Sequence, residues 1–211
     1  MASLFGAPRK VIGISFEGCT SLCGVILFRE PSKKDESYER RCRTLDLYFR
    51  DNFFNAGYTE IINERHEPAG SLDLKSALGS SLDVIGADGT VACSGRFRMM
   101  SNKWEVRGPE SRLLGVLRHQ LSLMSKKFIY ETEGRGIYEI FSPAFSKEYS
   151  IADESGVAVA RFEKINGWFE SGAYCLRNGT ERLGSYELIA VVMGVHETNK
   201  REANVPYANM P

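Results

Sequence analysis

Eight consecutive residues near the C-terminus, Leu188-Ile189-Ala190-Val191-Val192-Met193-Gly194-Val195, carry no polar side chain. At 100° per residue such a run is apolar on every side of a helix, so as a helix it has to be surrounded by other parts of the protein. Ser185 as a cap, Glu187 in a first turn where the macrodipole favours an anion, and Lys200 and Arg201 near the far end all fit that helix. Ile189 and three valines fit a buried strand equally well, and periodicity does not separate the two at this length. In either form the segment needs an enclosing shell. It is far short of the ~20 apolar residues of a membrane-spanning helix, so the chain is not expected to be transmembrane.

The material for a shell lies upstream. From about residue 81 to 177, short stretches rich in Val, Ile, Tyr and Phe alternate with Gly, Asp, Asn and Ser at the spacing of an antiparallel meander. Strands are expected over 82–85, 90–94, 103–107, 113–119, 127–131, 136–141, 148–151, 157–162 and 173–177, with another over 57–62. Ala87-Asp88-Gly89 and Asp153-Glu154-Ser155-Gly156 supply residues that tolerate the positive φ of tight hairpins, and Gly108-Pro109-Glu110-Ser111 fixes a turn through its proline. Two more strands are expected over 10–16 and 24–28, and a charged, solvated loop or short exposed helix over 31–43. Residues 203–211 lack periodicity and are expected to form a mobile tail after a single domain spanning 1–202.

A chain of 211 residues buries enough surface to need neither disulfides nor a structural metal. Its five cysteines, Cys19, Cys23, Cys42, Cys93 and Cys175, are odd in number and scattered, which points to a reducing, cytoplasmic setting. Lys plus Arg equals Asp plus Glu at 27 each, so no bulk field draws in nucleic acid, and any anion binding has to be local. Residues 1–10 lack the organisation of a secretory signal, and position 2 is not glycine, as myristoylation requires.

The order of features from about residue 45 to 202 resembles the LURP-one-related domain, which shares its architecture with the Tubby C-terminal domain and the phospholipid scramblases. Three parts carry the likeness. The first is the stretch 81–120, with its Asp-Gly turns and Lys103-Trp104-Glu105-Val106-Arg107 leading into Leu113-Leu114-Gly115-Val116-Leu117-Arg118-His119. The second is Tyr149-Ser150-Ile151-Ala152-Asp153 followed by Val157-Ala158-Val159-Ala160-Arg161. The third is a last strand near Tyr174 followed by the apolar run 188–195. The resemblance implies an all-β fold of about twelve antiparallel strands, closed as a barrel around a hydrophobic C-terminal helix. It also implies a location at the membrane, because Tubby domains bind phosphoinositides and scramblases act on bilayers. The acylated cysteine cluster, Pro-rich N-terminal region and calcium loop that would accompany scrambling are not visible in this sequence.

Little in the chain points to catalysis, and the chain is expected not to be an enzyme. Cys19 and Cys23 lack a second ligand pair for zinc. His66, His119 and His196 stand outside any metalloprotease or nucleophile-elbow pattern, and the 20 glycines form no nucleotide-binding loop. No cofactor or metal is therefore expected. One basic cluster stands out. Arg96, Arg98 and Lys103 flank Phe97, Met99, Met100 and Trp104, and Arg107, Arg112, Arg118, Lys126 and Lys127 follow in the same meander. Read plainly, these are the solvated exterior of a barrel. Read functionally, Arg96, Arg98, Lys103, Lys126 and Lys127 are candidate ligand-binding residues for an anionic phospholipid headgroup or another phosphorylated ligand, with Trp104 or Phe97 seated in the interface and Arg40, Arg41 and Arg43 adding charge. The alternative is a protein-interaction or scaffold domain without lipid binding, self-associating through exposed strands. A third reading, a lipocalin-like carrier, requires an empty barrel.

Overall fold

A computed structural model of the chain describes residues 46–55, 57–75, 81–120, 127–142, 146–166 and 172–203. Strands expected over 10–16 and 24–28, the charged stretch 31–43, residues 204–211 of the expected tail, and Lys126 lie outside these. The described residues form twelve strands, one α-helix and two short 3-10 segments (Asp51–Phe54 and Pro109–Ser111): β1 (Leu47–Arg50), β2 (Gly57–Asn63), β3 (Pro68–Leu74), β4 (Ser81–Gly86), β5 (Val91–Phe97), β6 (Trp104–Arg107), β7 (Leu113–Gln120), β8 (Lys127–Thr132), β9 (Ile137–Phe141), β10 (Tyr149–Ala152), β11 (Ala158–Ile165), β12 (Ala173–Asn178) and α1 (Ser185–Ala203). Each strand pairs antiparallel with its neighbours in sequence, and β1 pairs with β12 through Leu47↔Leu176 to close the barrel. A closed ladder leaves no free strand edge, so self-association by strand addition is not open to these twelve strands.

The side-chain alternation does what the meander predicts. Leu82 and Val84 on β4 and Tyr138 and Ile140 on β9 are buried, while the residues between them, Asp83 and Glu139, are partly exposed; on β8, Phe128, Ile129 and Tyr130 are all buried. Their inward side chains meet α1. The run 188–195, which local physics leaves undecided between helix and strand, is helical and wholly buried. It occupies the barrel interior, and the empty cavity that a lipocalin-like carrier requires is thereby filled. Among the described residues, no helix is long and apolar enough to cross a membrane.

Trp104 fixes the depth of α1. Its indole Nε1 donates to the carbonyl of Ala190 at 3.0 Å. A Cβ on Gly194 would lie 2.4 Å from Trp104 Cδ1, and one on Gly95 would lie 2.5 Å from Trp104 Cζ2. The indole is thus clasped between a glycine of the wall and a glycine of the helix, each required by its closeness.

Antiparallel order separates two ends. Links after even-numbered strands, together with the β12–α1 link, gather where α1 begins; this end is called the base. Links after odd-numbered strands gather where α1 ends, called the rim.

Candidate functional site

At the base the chain is tied down. Glu187 is 1% exposed and accepts hydrogen bonds from Tyr130 Oη at 2.6 Å and from Arg135 Nη1 and Nη2 at 2.7 and 2.8 Å. The Arg135 guanidinium also donates to the carbonyls of Leu114 and Arg182. Burial first, and then the Glu187 carboxylate, pushes the Tyr130 phenol well above its ordinary pKa, so it stays a donor. Tyr186 donates to the carbonyl of Ala69, and Asn178 Nδ2 to the carbonyl of Leu183. Ser185 is the first residue of α1, and its hydroxyl accepts from Asn178. The base connections 64–67, 87–90, 108–112, 133–136, 153–157 and 179–184 hold eight carboxylates against four arginines.

At the rim the β5–β6 hairpin projects. The amide of Arg98 donates to the carbonyl of Lys103 at 2.8 Å, that of Ser101 to the carbonyl of Arg98 at 3.1 Å, and that of Lys103 to Ser101 Oγ at 3.1 Å. This well-bonded turn carries Met99, 86% exposed, and Met100, 103% exposed. Met100 has a φ of 55°, a left-handed backbone that side-chain-bearing residues seldom adopt. Arg96 and Lys103 are exposed, and their side chains have no partner among the described residues. Arg98 only grazes Glu105, at 3.8 Å, because Glu105 is held by Arg107 at 2.8 Å. Below the turn, Phe97 packs edge-on against Trp104 at 5.0 Å, and the Arg201 guanidinium lies 4.4 Å over the Phe97 ring. Glu202 pairs with His119 Nδ1 at 2.8 Å, and that imidazole stacks on Phe128. The last turn of α1 is thereby fastened to the hairpin and to β7.

Of the candidate ligand residues, Arg96, Arg98 and Lys103 share one hairpin. Lys127 stands on β8, three strands away, with its Nζ 2.6 Å from Glu139 and 5.6 Å from the Phe141 ring centre. Arg107 and Arg118 are likewise engaged, by Glu105 and Glu131. Trp104 is fully buried and cannot seat in an interface, and Phe97 is roofed by Arg201. The apolar groups that do reach solvent beside the cations are the two methionines, which the sequence places between the basic residues without revealing their exposure.

The remaining reactive groups are dispersed. His66 sits exposed in the β2–β3 turn, and His196 packs on Phe54 at 4.4 Å with its pKa lowered to about 4 by burial, then by Lys147 and Lys200. Burial raises the pKa of neighbouring Glu197. Cys93 and Cys175 are buried thiols, the latter pushed up to about 11 by burial, which argues against reactivity. A small open depression of about 220 Å³ at the base sets Arg135 and Arg182 beside Asp153 and Glu154, with no histidine in its lining. Among the described residues, no group of three or more His, Cys, Asp or Glu is placed to hold a metal.

No family model and no curated protein matches the chain. Among solved structures, the X-ray structure of a protein from Arabidopsis thaliana matches with a TM-score of 0.50 at 12% identity, covering 78% of this chain and 96% of that one. At that identity the likeness speaks to architecture alone, and this chain and the plant protein share their fold.

Proposed function

We propose that the chain is a non-enzymatic binding module of the Tubby, scramblase and LURP-one-related superfamily, which recognises anionic phospholipid headgroups at the cytosolic face of a membrane. The observation that carries this reading is the uncompensated charge of the β5–β6 hairpin. Arg96 and Lys103 have no ion partner among the described residues, and Arg98 has a weak one at 3.8 Å. The neighbouring Arg107, Arg118 and Lys127 are neutralised at 2.8 Å or less. Exposed cations that no described carboxylate neutralises can meet phosphate, and each basic residue near an anionic surface contributes about 1 kcal/mol.

The test is co-sedimentation with liposomes of graded phosphatidylserine and phosphoinositide content, at low and physiological salt. Salt-sensitive binding that is lost in R96Q/R98Q/K103Q is the expected result. Absence of binding at low salt, where attraction is strongest, leaves the protein-interaction domain as the reading to pursue.

A further inference from the structure

We propose that Met99 and Met100 form an insertion wedge that enters the boundary between headgroups and acyl chains of an anionic bilayer, with Arg96, Arg98 and Lys103 held at phosphate level. This inference rests on the lipid-binding reading above and gives it a depth and an orientation.

The first argument is that the fold has no use for these side chains. Met99 and Met100 are 86% and 103% exposed, so they contribute no packing, and the turn is closed by backbone and Ser101 bonds. At the left-handed positions of two base turns the sequence uses Gly89 and Gly156, preceded by Asp88 and Ser155, residues that suit such geometry without exposing apolar surface. Isolated exposed apolar residues are ordinary. Two adjacent ones at the tip of a bonded hairpin, one of them in a left-handed conformation that disfavours it, are not.

The second argument is distance. Arg96 and Lys103 each stand three residues from the nearer methionine. At about 3.3 Å per extended residue the cations trail the tip by up to about 10 Å. An interfacial apolar group is buried about 5–10 Å below the headgroups, so both parts of the hairpin reach their preferred depths together.

The third argument is orientation. The base connections carry twice as many carboxylates as arginines, so an anionic surface repels that end and attracts the hairpin. Arg201, the cation over Phe97, adds to the attracted side. The occupant favoured by this charge pattern is a negatively charged surface with an apolar layer beneath it.

The experiment uses the full chain with its methionine methyl groups labelled with carbon-13, and vesicles of phosphatidylcholine and phosphatidylserine, with and without a lipid spin-labelled near the top of its acyl chain. Assigned through M99S and M100S, the Met99 and Met100 signals should broaden on the spin-labelled vesicles, while the enclosed Met193 signal keeps its unlabelled-vesicle intensity. In co-sedimentation, M99S/M100S should fall about tenfold in partition yet keep the wild-type salt dependence, with an unchanged thermal transition reporting an intact fold. Wild-type binding matched by M99S/M100S overturns the wedge and leaves the lipid reading standing. Failure of the wild-type chain to bind at low salt overturns both. A change in self-association of M99S/M100S with no change in partition makes the tip a protein contact and also overturns the wedge.

Discussion

The two ends of the barrel are built by different rules. Strand-to-strand connections run four or five residues at the base and six or seven at the rim. Four of the base connections repeat one device: a side-chain oxygen of Asn63, Asp88, Asp153 or Asn178 accepts from the amide two residues on, and for Asn63 and Asp153 also from the amide four residues on. Behind them the ion pair of buried Glu187 with half-buried Arg135 locks the first turn of α1. At the rim, α1 is held by contacts that reach solvent, Arg201 on Phe97 and Glu202 on His119, and the neighbouring hairpin offers its methionines outward. The contrast teaches that stability and exposure are segregated along one axis: substitutions at the base should change folding and leave binding alone, and substitutions at the rim hairpin should do the reverse.

The sharpest way to break that division is at Glu187. Removing its partner with Arg135→Met leaves a carboxylate that is 1% exposed with Tyr130 as its remaining donor. Stranding a buried charge costs about 3–5 kcal/mol, to be read as a lower urea midpoint. Tyr130→Phe, which deletes one charge-assisted bond, should cost about 1.5–3 kcal/mol. The double variant R135M/E187L should recover part of the first loss, because an apolar pair strands no charge, although the carbonyls of Leu114 and Arg182 lose their donor. Vesicle binding of the folded fraction should match wild type throughout. A loss of binding there would mean that the two ends are coupled through α1.

Acid titration probes the rim end of the helix. His196, facing Phe54, Lys147 and Lys200, titrates at about 4 in the fold and near 6.5 when unfolded. Above pH 6.5 it is neutral in both states and contributes nothing. As pH falls towards 4 the unfolded chain takes up the proton first, so stability declines across that window, by up to about 3 kcal/mol. Glu197 beside it acts with the opposite sign: burial raises its pKa, so it destabilises the fold when ionised, and that penalty lifts as pH drops through the folded value. His196→Leu should flatten the acid side of the stability curve, and Glu197→Gln should stabilise the protein at neutral pH. An acid slope unchanged in His196→Leu would place the decline elsewhere.

Much of this architecture is legible in the sequence because turns and alternation are local. The strands from 81 to 178 follow from Asp88-Gly89, Asp153-Gly156 and the spacing between them, each boundary shifting by three residues or fewer. Two strands escape that reading. β3 opens with Pro68 and contains Gly70, residues that signal turns, yet Gly70 is needed because a Cβ there would lie 2.3 Å from the carbonyl oxygen of Ile85. β1 is only Leu47–Arg50, too short to show a period. The helix at 185–203 was not decidable from its apolar run and came from the family resemblance. The proposed binding surface is the least legible part, since it depends on which cations are neutralised. Glu139 for Lys127 and Glu131 for Arg118 come from adjacent strands, so barrel register, which no local pattern encodes, decides that Arg96 and Lys103 stay unpaired among the described residues. The burial of Glu187 is hidden for the same reason: its partner Arg135 is 52 positions away.

The smallest effect separates the ends most cleanly. His66 at the base and Met100 at the rim both hold left-handed backbones, with φ of 60° and 55°. In the sister turns at the base, Gly89 and Gly156 occupy the place of His66, each donating its amide three residues back as His66 does. Glycine takes that conformation without the roughly 1 kcal/mol penalty of a side chain, less a few tenths for the greater freedom of the unfolded chain. His66→Gly and Met100→Gly should therefore raise stability by similar amounts, about 0.5–1 kcal/mol, measured as parallel shifts in thermal midpoint. Only Met100→Gly should weaken vesicle binding, because it removes half of the wedge while leaving Arg96, Arg98 and Lys103 in place. Stabilisation at both sites with binding reduced at one would mean that the rim keeps a strained methionine at the expense of stability, as a surface selected for contact does. Equal binding in both variants would reduce the rim hairpin to a solvated turn like those at the base.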